Sequence, residues 1–217
     1  MKVSVIITCF DREKYIERAI RSALSQRFPR PDFEVIVVDD GSTDHSPDII
    51  AGYGDEVVFL RHDTNRGLPA ARNTGIRRAR GRFVVNLDSD DYLHEELIHV
   101  EQLHLALNPH WGAVACDYFT VNDQEEHLER LSAIDEPIAC GVMFRKDLLV
   151  DLGLYDEDLR LFEDEDLRRR FTAKYTIGHL QLPLYRYRRH GHNLTNDLEA
   201  MEFYKDRLEN RHKEHEP

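Results

Sequence analysis

An α/β fold with a mainly parallel central sheet and helices on both faces follows from the alternation of two patterns. Apolar, β-branched runs at Val3–Cys9, Phe33–Asp39, Val57–Leu60 and Phe83–Leu87 read as strands buried on both sides. Between them lie stretches of helical period, such as Tyr15, Ile16, Ala19, Ile20, Ala23 and Leu24. A third observation says where a ligand should sit. Acidic clusters end two of the runs, and open parallel sheets bind ligands beyond the carboxyl ends of their strands.

The second half of the chain is less regular. A strand pair is expected around Gly112–Asn122, then a polar, acidic stretch over Asn122–Glu136 with loop composition. An apolar segment at Ile138–Phe144, a helix near Lys146–Leu152, an acidic helix start at Glu163–Asp166 and strands around Tyr175–Leu180 and Leu184–Arg188 follow. From Asn196 the charges alternate with Leu198, Met201, Tyr204 and Leu208 at helical spacing, the pattern of a surface helix. A chain of 217 residues, 41% of them hydrophobic, is expected to form one domain, 1–217. A first half would run to about 121, a second over about 122–195, and a final helix over 196–217.

A formal charge of −12, shared between the halves, makes nucleic acid a poor partner, since a phosphate backbone needs a net basic face. The three cysteines, Cys9, Cys116 and Cys140, show no metal or disulfide spacing, which fits reduced thiols in a cytoplasmic protein. The apolar start of the chain ends at Asp11, too short for a transmembrane segment. The cluster Arg77-Arg78-Ala79-Arg80-Gly81-Arg82 is compatible with peripheral contact at the inner face of a membrane, and equally with solvated arginines complementing a helix dipole.

Four segments carry residue types suited to chemistry. Asp88-Ser89-Asp90-Asp91 crowds three carboxylates at a strand end; it reads either as a site for a hard divalent cation or as a capping turn. Asp39-Asp40-Gly41-Ser42-Thr43-Asp44 combines a tight turn and a helix cap with a doubled aspartate that could accept hydrogen bonds from a nucleobase. Glu163-Asp164-x-Asp166-Leu167 opens a helix, where acids either complement the dipole or act on a substrate. Tyr187-Arg188-Arg189-His190-Gly191-His192 ends the last strand with groups suited to phosphate and metal. With 12 histidines in the chain, no single one is informative without the pattern around it.

In this order the segments resemble the family 2 glycosyltransferases of GT-A, Rossmann-like fold. The likeness runs from KVSVIITCFDREKYIERAIRSALSQ through FEVIVVDDGSTD, NRGLPAARNTGIRRARG and FVVNLDSDD to CGVMFRKDLL, LGLYDEDLRLFEDEDLRRRF and LYRYRRHGHNLT. It implies a nucleoside pocket at Thr8, Phe10 and Asp11, positions where the family more often has Pro, Tyr and Asn. It implies that Asp40 reads uracil, that Arg72 closes the donor site, and that Asp88 and Ser89 lie on the ribose or sugar side. Asp90 and His190 would hold a divalent metal, Mn or Mg, with His192 as the alternative to His190. Asp164 would be the catalytic base, with Glu163 beside it.

The activity so implied is inverting, metal-dependent transfer of a sugar from a nucleotide-diphosphate donor, a UDP-sugar, to a glycan or lipid-linked hydroxyl, as in cell-surface polysaccharide, lipopolysaccharide or glycoprotein assembly. A sugar-1-phosphate nucleotidyltransferase would place a Gly-rich basic loop after the first strand, whereas Thr8-Cys9-Phe10-Asp11-Arg12 has no glycine. An inactive sugar-nucleotide-binding scaffold is the other rival, and the complete set of acidic and histidine motifs speaks against it. Donor sugar and acceptor depend on the region Asp117–Phe144, which carries no legible signal.

Overall fold

The structure, a computed structural model, describes residues 1–191, 193 and 197–213. Strands β1 (Val3–Cys9), β2 (Phe33–Asp39), β3 (Val58–Arg61) and β4 (Phe83–Asp88) pair in parallel in the order β3-β2-β1-β4. Every residue of β1 and β2 is buried, because alternate side chains enter two separate cores. Val5 and Ile7 pack with helices α1 (Ile16–Leu24) and α4 (Leu97–Leu107), while Ile6 packs on the opposite face with α3 (Leu68–Arg78). Gly75 permits that approach of α3: a Cβ there would stand 2.4 Å from Cγ2 of Ile6. The short α2 (Ser46–Ala51) adds Ile50 to the first core.

Past β4 the sheet becomes mixed and continues β8-β6-β9-β5, with β7 paired to β6. These strands are β5 (Tyr92–Leu93), β6 (Trp111–Val121), β7 (His127–Leu131), β8 (Val142–Arg145) and β9 (Thr176–Arg188). Helices α5 (Lys146–Asp151) and α6 (Glu163–Thr172) cover the second core, with Leu167 and Phe171 pointing inward as the helical period requires.

Three expectations change. The strand pair expected around Gly112–Asn122 is the single strand β6. The two strands expected around Tyr175–Leu180 and Leu184–Arg188 are also one, β9, whose register slips where Cys116 and Asp117 face Leu180 and Pro183. Proline has no N–H to donate, so the ladder bulges there without ending. Asn122–Glu136, expected as loop, contains β7, an exposed and charged edge strand.

The C-terminal helix α7 (Leu198–Lys213) is more than a surface helix. Leu208 is buried, Met201 reaches the cleft described below, and Arg211 pairs with Asp156. Cys9, Cys116 and Cys140 are buried free thiols. Among the described residues no helix is long and apolar enough to cross a membrane. Within the arginine cluster Arg77 pairs with Glu157 and Arg80 with Glu34, which occupies two of its guanidiniums within the protein.

Candidate active site

The parallel register brings three strand ends to one edge: Cys9 lies beside Asp39, and Thr8 beside both Val38 and Asp88. A cleft of about 530 Å³ opens there. Of the residues singled out in the sequence, Thr8, Phe10, Asp40, Arg72, Asp88, Ser89, Asp90 and Asp164 line it. Phe10 is 40% exposed, an aromatic face open to the cleft. Asp11 does not line it: held at φ +50°, its Oδ1 accepts the backbone N–H of Thr43 at 2.8 Å and its own N–H donates to Ser42 Oγ. Its carboxylate therefore fastens the β1 and β2 turns together, a local role that a short polar side chain at positive φ can take.

Asp40 is bonded within the protein on both carboxylate oxygens. Its carboxylate accepts the N–H of Arg66 at 3.0 Å and of Gly67 at 2.8 Å, and its Oδ1 lies 2.6 Å from His62 Nδ1. The ring's Nε2 in turn lies 2.9 Å from Thr74 Oγ1. These bonds fix the loop before α3, whose first turn carries on into the cleft wall. Gly41 makes room for that loop, since a Cβ at its φ of +79° would meet the Thr64 carbonyl carbon at 2.7 Å.

Arg72 joins the two halves of the molecule. It is 1% exposed and donates to Asp88 Oδ1 at 2.9 Å and to Glu163 Oε1 at 2.5 Å. Burial pushes the Glu163 carboxyl up to about 7; the Arg72 charge opposes the shift without cancelling it, and Asp164 and Asp88 add to it. Glu163 starts α6 directly after Phe162, a non-glycine residue at φ +63°. A left-handed conformation at a bulky residue costs energy and is found where a site constrains the chain. The next residue, Asp164, lies in the cleft wall, and among the described residues its carboxylate has no hydrogen-bond or ion-pair partner.

Asp90 and His190 are brought together, with His190 Nε2 2.9 Å from Asp90 Oδ2. The imidazole is stacked on Tyr15 at 4.9 Å between ring centroids, and Arg12 Nε lies 3.4 Å from the same carboxylate oxygen. Burial works to raise the Asp90 pKa, but His190 and Arg12 together outweigh it and leave the carboxyl below its ordinary value. An anionic carboxylate and an imidazole are the donor types a borderline divalent ion accepts, with remaining positions open to phosphate oxygens and water. The two residues therefore fit such an ion, although no group of three or more candidate ligands is assembled among the described residues. His192 lies outside the described residues.

The sequence profile of glycosyl transferase family 2 matches residues 4–173, which span every strand end and acidic motif just described except His190. This chain belongs to that family. An uncharacterized glycosyltransferase of Rickettsia prowazekii (strain Madrid E) is 30% identical over 223 residues, covering 94% of this chain and 69% of the relative. The poly(ribitol-phosphate) β-N-acetylglucosaminyltransferase TarS of Staphylococcus aureus (strain Mu50 / ATCC 700699) is 41% identical over 101 residues, 45% of this chain and 18% of TarS. A crystal structure of S. aureus TarS 1-349 in complex with UDP-GlcNAc superposes with a TM-score of 0.78 at 25% identity, covering 94% of this chain and 65% of that one. The chain thus has the GT-A fold of family 2 and spans less than a fifth of the length of TarS.

Several residues of this family 2 site escaped the sequence reading. Asp91 is not a helix cap: α4 begins only at Leu97, and the buried Asp91 carboxylate accepts Tyr185 Oη–H at 2.6 Å and the Arg188 N–H at 2.7 Å. Burial, with Asp90 and Asp88 close by, holds its pKa well above the usual carboxylate range. Arg188 donates from Nε to the Asp90 carbonyl at 2.8 Å. Together Tyr185 and Arg188 clamp the acidic turn to β9. Neither carried a local signal, since period 2 puts residues 185 and 188 on opposite faces of β9 and their partners lie far off in the chain.

Proposed function

We propose that this glycosyltransferase is inverting and metal-dependent, and moves a sugar from a UDP-sugar to a hydroxyl of a glycan or other polymer. The observation that carries the reading is the joining, in one cleft, of Asp90, backed by the buried His190, with the unpartnered carboxylate of Asp164. Asp164 accepts the proton of the acceptor hydroxyl as its oxygen forms a bond to the anomeric carbon. The bond from that carbon to the diphosphate oxygen breaks on the opposite face, and UDP leaves with the electron pair. A carboxylate suffices as base because proton transfer is required only as the transition state develops.

Asp90 and His190 would hold Mn²⁺ or Mg²⁺, which supplies Lewis-acid stabilisation to the departing diphosphate. Phe10 offers a stacking face for the base and Thr8 a polar edge beside it. Asp40, besides holding its loop, presents the carboxylate that pairs with the uracil edge, while Asp88 and Ser89 take the ribose or sugar side. Support for UDP comes from the TarS structure that contains UDP-GlcNAc, and support for a polymeric acceptor from the poly(ribitol-phosphate) named for TarS. The site would work on the cytoplasmic side, at the inner face of a membrane where the acceptor is lipid-linked.

The test is nucleotide release from purified protein with Mn²⁺ and a panel of UDP-, GDP- and dTDP-sugars, read with and without EDTA. Metal-dependent release from one UDP-sugar is the expected result. Release that EDTA leaves unchanged, or that requires GDP, would remove the corresponding part of the reading.

A further inference from the structure

Beside Asp164 the cleft carries two guanidiniums that the protein itself does not use. Arg160 precedes Asp164 by four residues and Arg168 follows it by four, and both line the cleft. Residues four apart on a helix share a face with their Cβ atoms about 5–6 Å apart, so Arg168 stands next to Asp164 on α6. Arg160 crosses to the other wall, where its Cγ would contact a Cβ at Gly67 at 3.7 Å. Among the described residues neither guanidinium has a hydrogen-bond or ion-pair partner.

This is unusual for its surroundings. The other acids of the α6 start are matched: Glu163 with Arg72, Glu165 with Arg169 at 2.5 Å, and Asp166 with Arg170 at 2.6 Å. Arg168 is left over in a helix whose acids, Asp164 apart, already have cations. A protein with a formal charge of −12 repels an anionic substrate at long range, so one that binds an anion needs cations held at the site. Guanidiniums also match phosphate oxygens in geometry, through paired N–H donors.

We propose that Arg160 and Arg168 form a phosphate subsite for the acceptor, so that the preferred acceptor carries a phosphate ester on the same sugar or polyol unit as the attacking hydroxyl. The inference rests on the glycosyl-transfer reading and adds the acceptor's chemical class to it. With phosphate bound between the two arginines, the neighbouring hydroxyl is held against Asp164, which sits between them in sequence. The donor diphosphate belongs at Asp90, which lines the same cleft.

The test is calorimetric titration of the full chain, saturated with UDP and Mg²⁺, with ribitol 5-phosphate and with ribitol, probes that differ only in the phosphate. The phosphorylated probe should bind and the neutral one should not. In an Arg160→Gln, Arg168→Gln variant its affinity should fall about tenfold or more, the scale of losing one or two charge-assisted hydrogen bonds. The double lysine variant should retain part of it. Equal binding of the two probes, binding of neither, or an unchanged affinity in the glutamine variant overturns the proposal. So does a weakened UDP affinity in that variant, which would place the arginines on the donor. The thermal midpoint of each variant confirms folding. Failure to release nucleotide from any sugar donor would count against the transfer reading, whereas the titration reports on the subsite independently.

Discussion

Glu163→Gln provides a direct reading of the balance of forces at the centre of the site. Glu163 is fully enclosed yet only 2.5 Å from Arg72, so burial and ion pairing compete. Burial prevails: the carboxyl moves from its ordinary 4.5 to about 7. Such an acid binds more protons folded than unfolded, so stability falls as pH rises through the interval between those values. The cost is absent below the lower value and complete above the upper one. At about 1.4 kcal/mol per pKa unit, the wild type should lose about 3 kcal/mol relative to the glutamine variant across the interval.

Urea unfolding at pH 5, 6, 7 and 8, followed by the fluorescence of Trp111, the one tryptophan of the chain, measures this difference. With a urea m-value of about 1–3 kcal/mol/M, the midpoints of wild type and variant should drift by about 1 M or more relative to each other. A pH-independent difference would show that Arg72 fully compensates burial. A difference of opposite sign would show that the ion pair dominates, and would refute the reasoning.

Three further outcomes are expected. Asp164→Asn should keep nucleotide binding while transfer falls by about a hundredfold or more, the scale of a lost general base; product anomers analysed by NMR should be inverted, and near-normal turnover or retention would remove Asp164 as the base. Asp90→Asn should abolish metal-dependent donor binding in calorimetry, because a neutral amide is a weaker ligand for a hard cation, and EDTA should reproduce the loss in the wild type. UDP should bind more tightly than GDP with metal present, Phe10 stacking and the Asp40 edge contact each contributing about 1–3 kcal/mol; the reverse order in calorimetry would contradict the base-reading role of Asp40.

How legible each part was depended on whether its physics is local. β1 and β2 were read to the residue because a strand buried on both faces shows as an unbroken apolar run. β7 was missed because an edge strand carries charge where an inner strand carries valine, as His127, Glu129 and Arg130 do. At the site, the positions of Asp88, Asp90 and Asp164 along the chain were enough to locate them in one cleft. What those groups do to one another was not readable. The Arg72–Glu163 bond spans 91 residues, and the Asp91–Tyr185 bond 94. Asp11 shows the opposite case: its motif is legible, but its bonds to the turn next to it are visible only in three dimensions.

The bridge from Asp88 through Arg72 to Glu163 also bears on recombination between members of the family. Exchanging the half of the chain that faces the acceptor amounts to transplanting one end of a buried ion pair. A hybrid joined anywhere between Asp88 and Glu163 keeps the Arg72–Asp88 bond, but without a carboxylate or other acceptor at position 163 it leaves one arm of the buried guanidinium without its partner. The loop 122–126, although outside that bridge, is no free exchange point either, since Asn122 and Glu125 accept from Arg188 and Asp123 accepts from Tyr15, the side chains that hold the acidic turn and His190.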